Sequence, residues 1–220
     1  MAAAKLQKAA GLKEEISDFK RRRIREEASH LFFEHGYEGT TIDAIAARLD
    51  VTKPFIYSYY KNKSELLYDI CRLGITLSLE AMDEACCGDK KPTERLRHLV
   101  ERVLRIIIDY QEYIVVYEHE EKNLEKHQAR EIRELRKLFD HRLAGILKEG
   151  HAGGEFNIKD PVLTATTIGG MLTWVSFWYS PSGKRTEHDI VSHVIDSIDA
   201  VVRRSAHSEP GAWPPRQLPE

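Results

Sequence analysis

Residues 40–57 read Thr40-Thr41-Ile42-Asp43-Ala44-Ile45-Ala46-Ala47-Arg48-Leu49-Asp50-Val51-Thr52-Lys53-Pro54-Phe55-Ile56-Tyr57, and their order of caps, apolar steps and small residues decides the fold. Thr41 stands where a hydroxyl caps a helix, and Ile42, Ile45, Ala46 and Leu49 follow at three- and four-residue steps. After a short break, Thr52 offers a second cap. Pro54 falls in the first turn that follows, where its missing amide hydrogen costs nothing. Small or β-branched side chains at Ala46 and Val51 let two helices cross at a sharp angle, with Ile42, Ile45 and Ile56 filling the space between them. The second helix then stands proud and fits a groove about 12 Å wide. The stretch therefore predicts a helix-turn-helix, with duplex DNA as its partner. The helix starts at Thr41 and Thr52 offer backbone N–H groups to phosphates.

Working outward, nearly every segment between breakers repeats apolar residues at helical steps, so the chain is expected to be all-α with about nine helices. A first helix over about 16–35 carries the stripe Ile24, Ala28, Leu31 and Phe32, and Gly36 is expected to end it as a left-handed cap. Ser64 is expected to cap a long helix reaching about residue 86, before a loop at 88–92. Further helices are expected over about 93–109, 113–123, 128–149, 161–179 and 188–204, with a turn at 150–154. The domain reading is a flexible amino-terminal arm at 1–15, the DNA-binding unit at 16–63 and a ligand-binding and dimerisation body at 64–204. A disordered tail is expected at 205–220, where four prolines leave little to bury.

The composition suits a helical, water-borne protein: 42% hydrophobic and 31% charged over 220 residues, with a net charge of −2. Charge is uneven. Residues 1–64 hold twelve Lys/Arg against nine Asp/Glu, so the front is basic and the remainder acidic. Cys71, Cys86 and Cys87 form no disulfide framework, which fits a reducing cytoplasm. Residues 161–183 lack charge and are long enough to cross a bilayer, but threonines and glycines interrupt them and the stretch stands alone. A buried or dimer-forming helix is expected, and no membrane partner. No Gly-rich phosphate loop, zinc signature or nucleophile elbow occurs, and His119, His127 and His141 lack helical metal-pair spacing. No catalytic residue, metal ligand or cofactor is therefore proposed.

The positions Ile24, Ala28, Leu31-Phe32, Gly36-Tyr37, Thr40-Thr41, Ile45-Ala46, Val51, Pro54, Ile56-Tyr57, Tyr60, Lys63 and Leu66 together resemble the amino-terminal domain of tetracycline-repressor (TetR) family regulators. The resemblance implies a homodimer, a roughly two-fold operator and a small ligand that releases the DNA. Carried over by position, it implies that Lys53, Pro54 and Phe55 meet base edges, that Tyr57 and Tyr59 touch phosphates, and that Lys63 clamps one. Thr41 and Thr52 complete the implied DNA-binding set. Phe55 replaces a commonly small or hydroxylated residue, so it is expected to press on a thymine methyl. Tyr59 replaces a common histidine. Tyr57 and Tyr60 also read as core aromatics, and Lys20 to Arg23 read either as a phosphate-steering face or as a solvated one.

The body is expected to hold the sensor. Tyr113, Tyr117 and Glu120 mix aromatic and polar groups on one helix, while Trp174 and Trp178 stack four apart with Met171 beside them. Ordinary core packing is the alternative. The pattern Tyr117-x-x-Glu120-x-x-Asn123, then 150–156 with Asp160, then Trp174-x-x-x-Trp178-Tyr179-x-Pro181-x-Gly183 resembles a TetR branch that controls lipid, steroid-ring and aromatic-acid breakdown and responds to acyl-coenzyme A thioesters. That resemblance implies an acyl chain against Trp174, Trp178 and Met171, with Arg130, Arg133, Arg136, Lys137 and Arg142 near the nucleotide phosphates. Dimerisation is expected through the last two helices, with a small-residue step at Ala165 and Gly169 and an apolar stripe of Ile190, Val194, Ile195, Ile198 and Val201. The alternatives are a drug-efflux regulator of the same family answering a hydrophobic drug, and a helical enzyme or adaptor that does not bind DNA.

Overall fold

The computed structural model describes residues 2–203, which form nine α-helices, one short 3-10 turn and no strand. The expected tail at 205–220 lies outside the described residues. Helix α1 (Ala2–Gly39) begins earlier than the sequence pattern led us to expect. Residues 2–15, read as a flexible arm, are its first turns, because Ala2, Ala3, Ala4, Leu6, Gln7, Lys8, Ala9 and Ala10 are strong helix formers. Near its other end α1 breaks at Gly36, whose φ of 72° and ψ of 166° are open almost solely to glycine. The positive φ matches expectation, but the extended ψ does not: the chain kinks and adds another turn to Gly39. The buried Thr40 hydroxyl ties the kink by donating to the carbonyls of Leu31 (3.0 Å) and Gly36 (2.9 Å).

Helices α2 (Ile42–Arg48) and α3 (Lys53–Tyr57) follow as expected. The Thr41 hydroxyl caps α2 by accepting from the Ala44 amide at 3.1 Å, whereas Thr52 makes no side-chain cap bond. The turn between them depends on Asp50, at φ 53°, a left-handed position that aspartate tolerates better than most residues. Helix α4 (Lys63–Cys86) starts two residues earlier than expected and is capped by Asn62, not Ser64. The Asn62 side chain accepts from the Glu65 amide at 2.7 Å, while Ser64 faces Gln128 of a later helix. The remaining helices are α5 (Pro92–Asp109), α6 (Gln111–Glu120), α7 (Lys126–Ala152), α8 (Pro161–Trp178) and α9 (Glu187–Arg203).

Two buried clusters organise these helices. One joins α1, α2 and α3 to the first turns of α4, to α6 and to the start of α7 through Ile24, Phe32, Ile45, Ile56, Leu66 and Val116. The other fills the body, where α5 packs against α4, α7, α8 and α9. Each fully buried Leu, Ile or Phe contributes roughly 1.5–3 kcal/mol. The smaller core crosses the expected boundary at 63/64, because α4 and α6 serve both clusters. Gly150 explains part of the 150–156 pattern: a Cβ there would stand 2.2 Å from the Phe156 ring, which is itself buried. No helix among the described residues is long and apolar enough to cross a membrane.

Candidate functional site

Helix α3 lies at the surface, with Lys53, Pro54 and Tyr57 exposed on it and Ile56 buried beneath. Tyr57 is 45% exposed, so its reading as a core aromatic is excluded; Tyr60, 1% exposed, is a core aromatic. The Tyr60 hydroxyl donates to Asp69 at 2.6 Å, and burial pushes its pKa well up. Lys53 is not idle: its ammonium bonds Asp43 of α2 at 2.7 Å, which raises its pKa. Phe55 is half-buried rather than fully presented, with its ring 5.3 Å from that of Tyr59 and the Lys20 ammonium 5.8 Å above it. Thr41 and Thr52 are exposed at the two helix starts.

Lys63 sits differently from its expected role as a free clamp. Its ammonium donates to the carbonyls of Tyr37 (2.8 Å) and Thr40 (3.0 Å) and rests 4.1 Å over the Tyr37 ring. It therefore adds a donor to carbonyls at the end of α1, where a cation is favoured; the Tyr37 carbonyl also accepts from the Thr40 amide at 3.3 Å. One of its three N–H groups remains. Of the basic run, Arg21 lies over Tyr60, while Arg22 and Arg23 are engaged by Glu26 and Glu27. Arg25 pairs with Asp69 at 3.3 Å.

A cavity of about 440 Å³ opens between α4, α5, α6, α7 and α8. That volume lies within the range of small-molecule sites, roughly 300–1,000 Å³. Its walls are mainly apolar, among them Ile75, Ile107, Ile114, Phe139 and Leu172, with polar groups at Ser78, Glu118, Arg136 and Asp140. Of the expected ligand residues, Tyr113, Tyr117 and Trp174 line it. Glu120, Arg142, Met171 and Trp178 do not, each for a specific reason. Glu120 turns the other way: it accepts from the Tyr37 amide (3.1 Å) at the kink of α1 and from Asn123 (2.6 Å). Arg142 pairs with Asp83 at 2.7 Å. Met171 packs on the body core, and Trp178 stands 48% exposed on the outer side of α8. Arg133, Arg136 and Lys137 are each engaged by a glutamate, Arg136 with Glu118 at 3.2 Å.

Pattern reading missed the contribution of α4 to this cavity. Gly74 and Ser78 are small residues four apart on one face of the amphipathic helix α4, and that was the available signal: a Cβ at Gly74 would meet Ile114 at 3.4 Å. Of the residues expected at a dimer contact, Ile190, Val194 and Ile198 of α9 are buried within their own chain, Ile195 is half-buried and Val201 is exposed; Ala165 is buried, and Gly169 faces Asp140 of α7. Exposed apolar surface also lies along α8, at Val162, Leu163, Trp174, Phe177 and Trp178.

Two family models match the sequence that builds this short surface helix, its platform and the cavity-bearing body. Residues 24–70 match the model described as bacterial regulatory proteins, tetR family, and residues 89–202 match the tetracyclin repressor-like C-terminal domain. The chain belongs to the TetR family and is a transcriptional regulator, not an enzyme. Among curated relatives, a fatty acid metabolism regulator protein of Bacillus subtilis is 28% identical over 134 residues, covering 60% of this chain and 68% of that one. The transcriptional activator FasR of Mycolicibacterium smegmatis is 29% identical over 94 residues, covering 42% and 43%. Several such matches span under half of the relative's length, down to 34%. Among solved structures, the regulator PfmR from Thermus thermophilus superposes with a TM-score of 0.75 at 28% identity, covering 83% of this chain and 100% of that one. AibR in complex with isovaleryl coenzyme A and operator DNA gives 0.70 at 26% identity, covering 83% and 97%.

Proposed function

We propose that this regulator is a homodimeric repressor that reads a two-fold operator with α3 and releases it when an acyl-coenzyme A thioester enters the body. The observation that carries the proposal is the double duty of α6. Tyr113, Ile114, Tyr117 and Glu118 line the cavity, while Glu112 bonds His30 of α1 (3.1 Å) and Glu120 holds the kink of α1. A ligand that displaces Tyr113 or Tyr117 shifts α6, and α6 carries the platform that presents α3. The half-site spacing then departs from about 34–36 Å. A coupling of about 1–3 kcal/mol would change operator affinity about 5- to 150-fold.

In this reading Lys53, Pro54 and Phe55 face base edges, Tyr57 and Tyr59 meet phosphates, and Thr41 and Thr52 offer helix-start amides to the backbone. Lys63 braces the platform and keeps one N–H for a phosphate. The acyl group lies in the cavity against Trp174, and Arg136 stands nearest its charged end. Support for the thioester comes from the relatives: one is a fatty acid metabolism regulator, and one solved neighbour holds isovaleryl coenzyme A. The dimer forms through α8, along which Val162, Leu163, Phe177 and Trp178 stand exposed, since apolar groups gathered on one surface helix mark an interaction face. A gel-shift with DNA flanking the protein's own coding region tests the reading. Octanoyl- or isovaleryl-coenzyme A should dissolve a specific complex, and a complex indifferent to every acyl thioester would contradict the ligand class.

A further inference from the structure

Asp140 is unusual among the cavity's charged groups. Arg136 and Glu118 bond each other at 3.2 Å, and the Arg136 guanidinium also rests 5.0 Å from the Tyr117 ring centre. The Asp140 carboxylate has no hydrogen-bond or ion-pair partner among the described residues, although it lines the same cavity. It faces Gly169 of α8: a Cβ there would stand 3.7 Å from its Oδ1, in ordinary van der Waals contact. The cavity's apolar lining includes Phe139, Leu172 and Phe177, and its α8 wall also carries Thr166 and Thr173, neither of which bonds Asp140. Asp140 is half-buried, so water meets part of this carboxylate, and a ligand that displaces that water must supply a donor in its place. Its pKa is pushed up by burial, with Arg136 opposing.

We propose that Asp140 is the polar recognition point of the cavity and accepts a hydrogen bond from a donor that the ligand carries beside its apolar body. The inference rests on the ligand reading above and narrows it. A plain hydrocarbon tail leaves Asp140 unanswered. Two donors on an acyl thioester meet the need: a hydroxyl on the acyl chain, or an amide N–H of the pantetheine arm. Both present the same chemistry to the carboxylate.

The test uses the full chain, with octanoyl- and 3-hydroxyoctanoyl-coenzyme A as probes, in the parent and in Asp140→Asn and Asp140→Leu. A charged acceptor outweighs a neutral one, so Asp140→Asn should weaken binding about five- to tenfold, and Asp140→Leu by more. Loss confined to the hydroxylated probe assigns the donor to the acyl chain; equal loss for both assigns it to the pantetheine arm. Either supports the proposal, and unchanged affinity for both overturns it. If neither probe binds the parent, the thioester reading fails, and melting of the free proteins still decides the inference. An unanswered carboxylate predicts that Asp140→Asn melts higher than the parent. A lower melting point means the carboxylate is already satisfied within the fold, which overturns the proposal.

Discussion

Lys53 is held by Asp43 at the surface, so under the proposed reading its loss removes a DNA contact while leaving the platform intact. Lys53→Ala should cost about 1–3 kcal/mol of specific DNA binding, with the melting point unchanged. Anisotropy titration against specific and scrambled duplexes checks this, and undiminished discrimination would remove Lys53 from the reading set. Gly150 makes a claim on stability alone. Gly150→Ala drives a methyl into the Phe156 ring and should cost about 1–3 kcal/mol by urea unfolding, with an unchanged m-value. A neutral or stabilising result would mean that Phe156 moves aside freely. The pH response of Asp140 has a definite sign. Its folded-state pKa is raised, so the folded form holds the proton more tightly, and the destabilisation is present at neutral pH and relieved as pH falls through the raised value. The melting advantage of Asp140→Asn should therefore shrink on acidification, with Arg136 and Glu118 as the charged neighbours in the same cavity.

At the scale of elements, α6 and α8 carry the predictions. Glu120 touches the kink of α1 and does not line the cavity, so Glu120→Ala should leave thioester affinity within about twofold while cutting the ligand's effect on DNA binding toward the low end of the 5- to 150-fold range. Calorimetry with the thioester, paired with DNA titration in its presence, separates the two, and an unaltered ligand effect would show that α6 does not transmit through this contact. Helix α8 presents Leu163 and Trp178 outward, and Trp178→Glu should turn a dimer into a monomer by light scattering at micromolar concentration. The difference between reading and structure is also clearest here. Residues 40–57 were legible because caps, the proline and the apolar steps all act locally. In α8 the 3.6 period identified a helix but not its faces, since apolar residues surround it: Trp174 and Trp178 share a sequence spacing, yet only Trp174 reaches the cavity. Glu120 misled for a related reason, because its partner is a backbone amide 83 residues away that no spacing reveals.

Across the whole molecule, the all-α architecture was readable from punctuation and periodicity, while the cavity was not, since five helices meet to form it and α4 contributes through small residues. The asymmetry of charge fits the same plan, with a basic front toward DNA and an acidic body away from it. The central claim is that α3 docks in DNA from this platform. Its most direct test is a titration of the protein against DNA flanking its own coding region, at several salt concentrations, for the parent and Lys53→Ala. The account predicts a sequence-specific complex whose affinity falls by about 0.9 log units per log unit of salt for each phosphate neutralised, with discrimination lost in Lys53→Ala. Equal binding to specific and scrambled duplexes by the parent, or discrimination fully kept by Lys53→Ala, would contradict it.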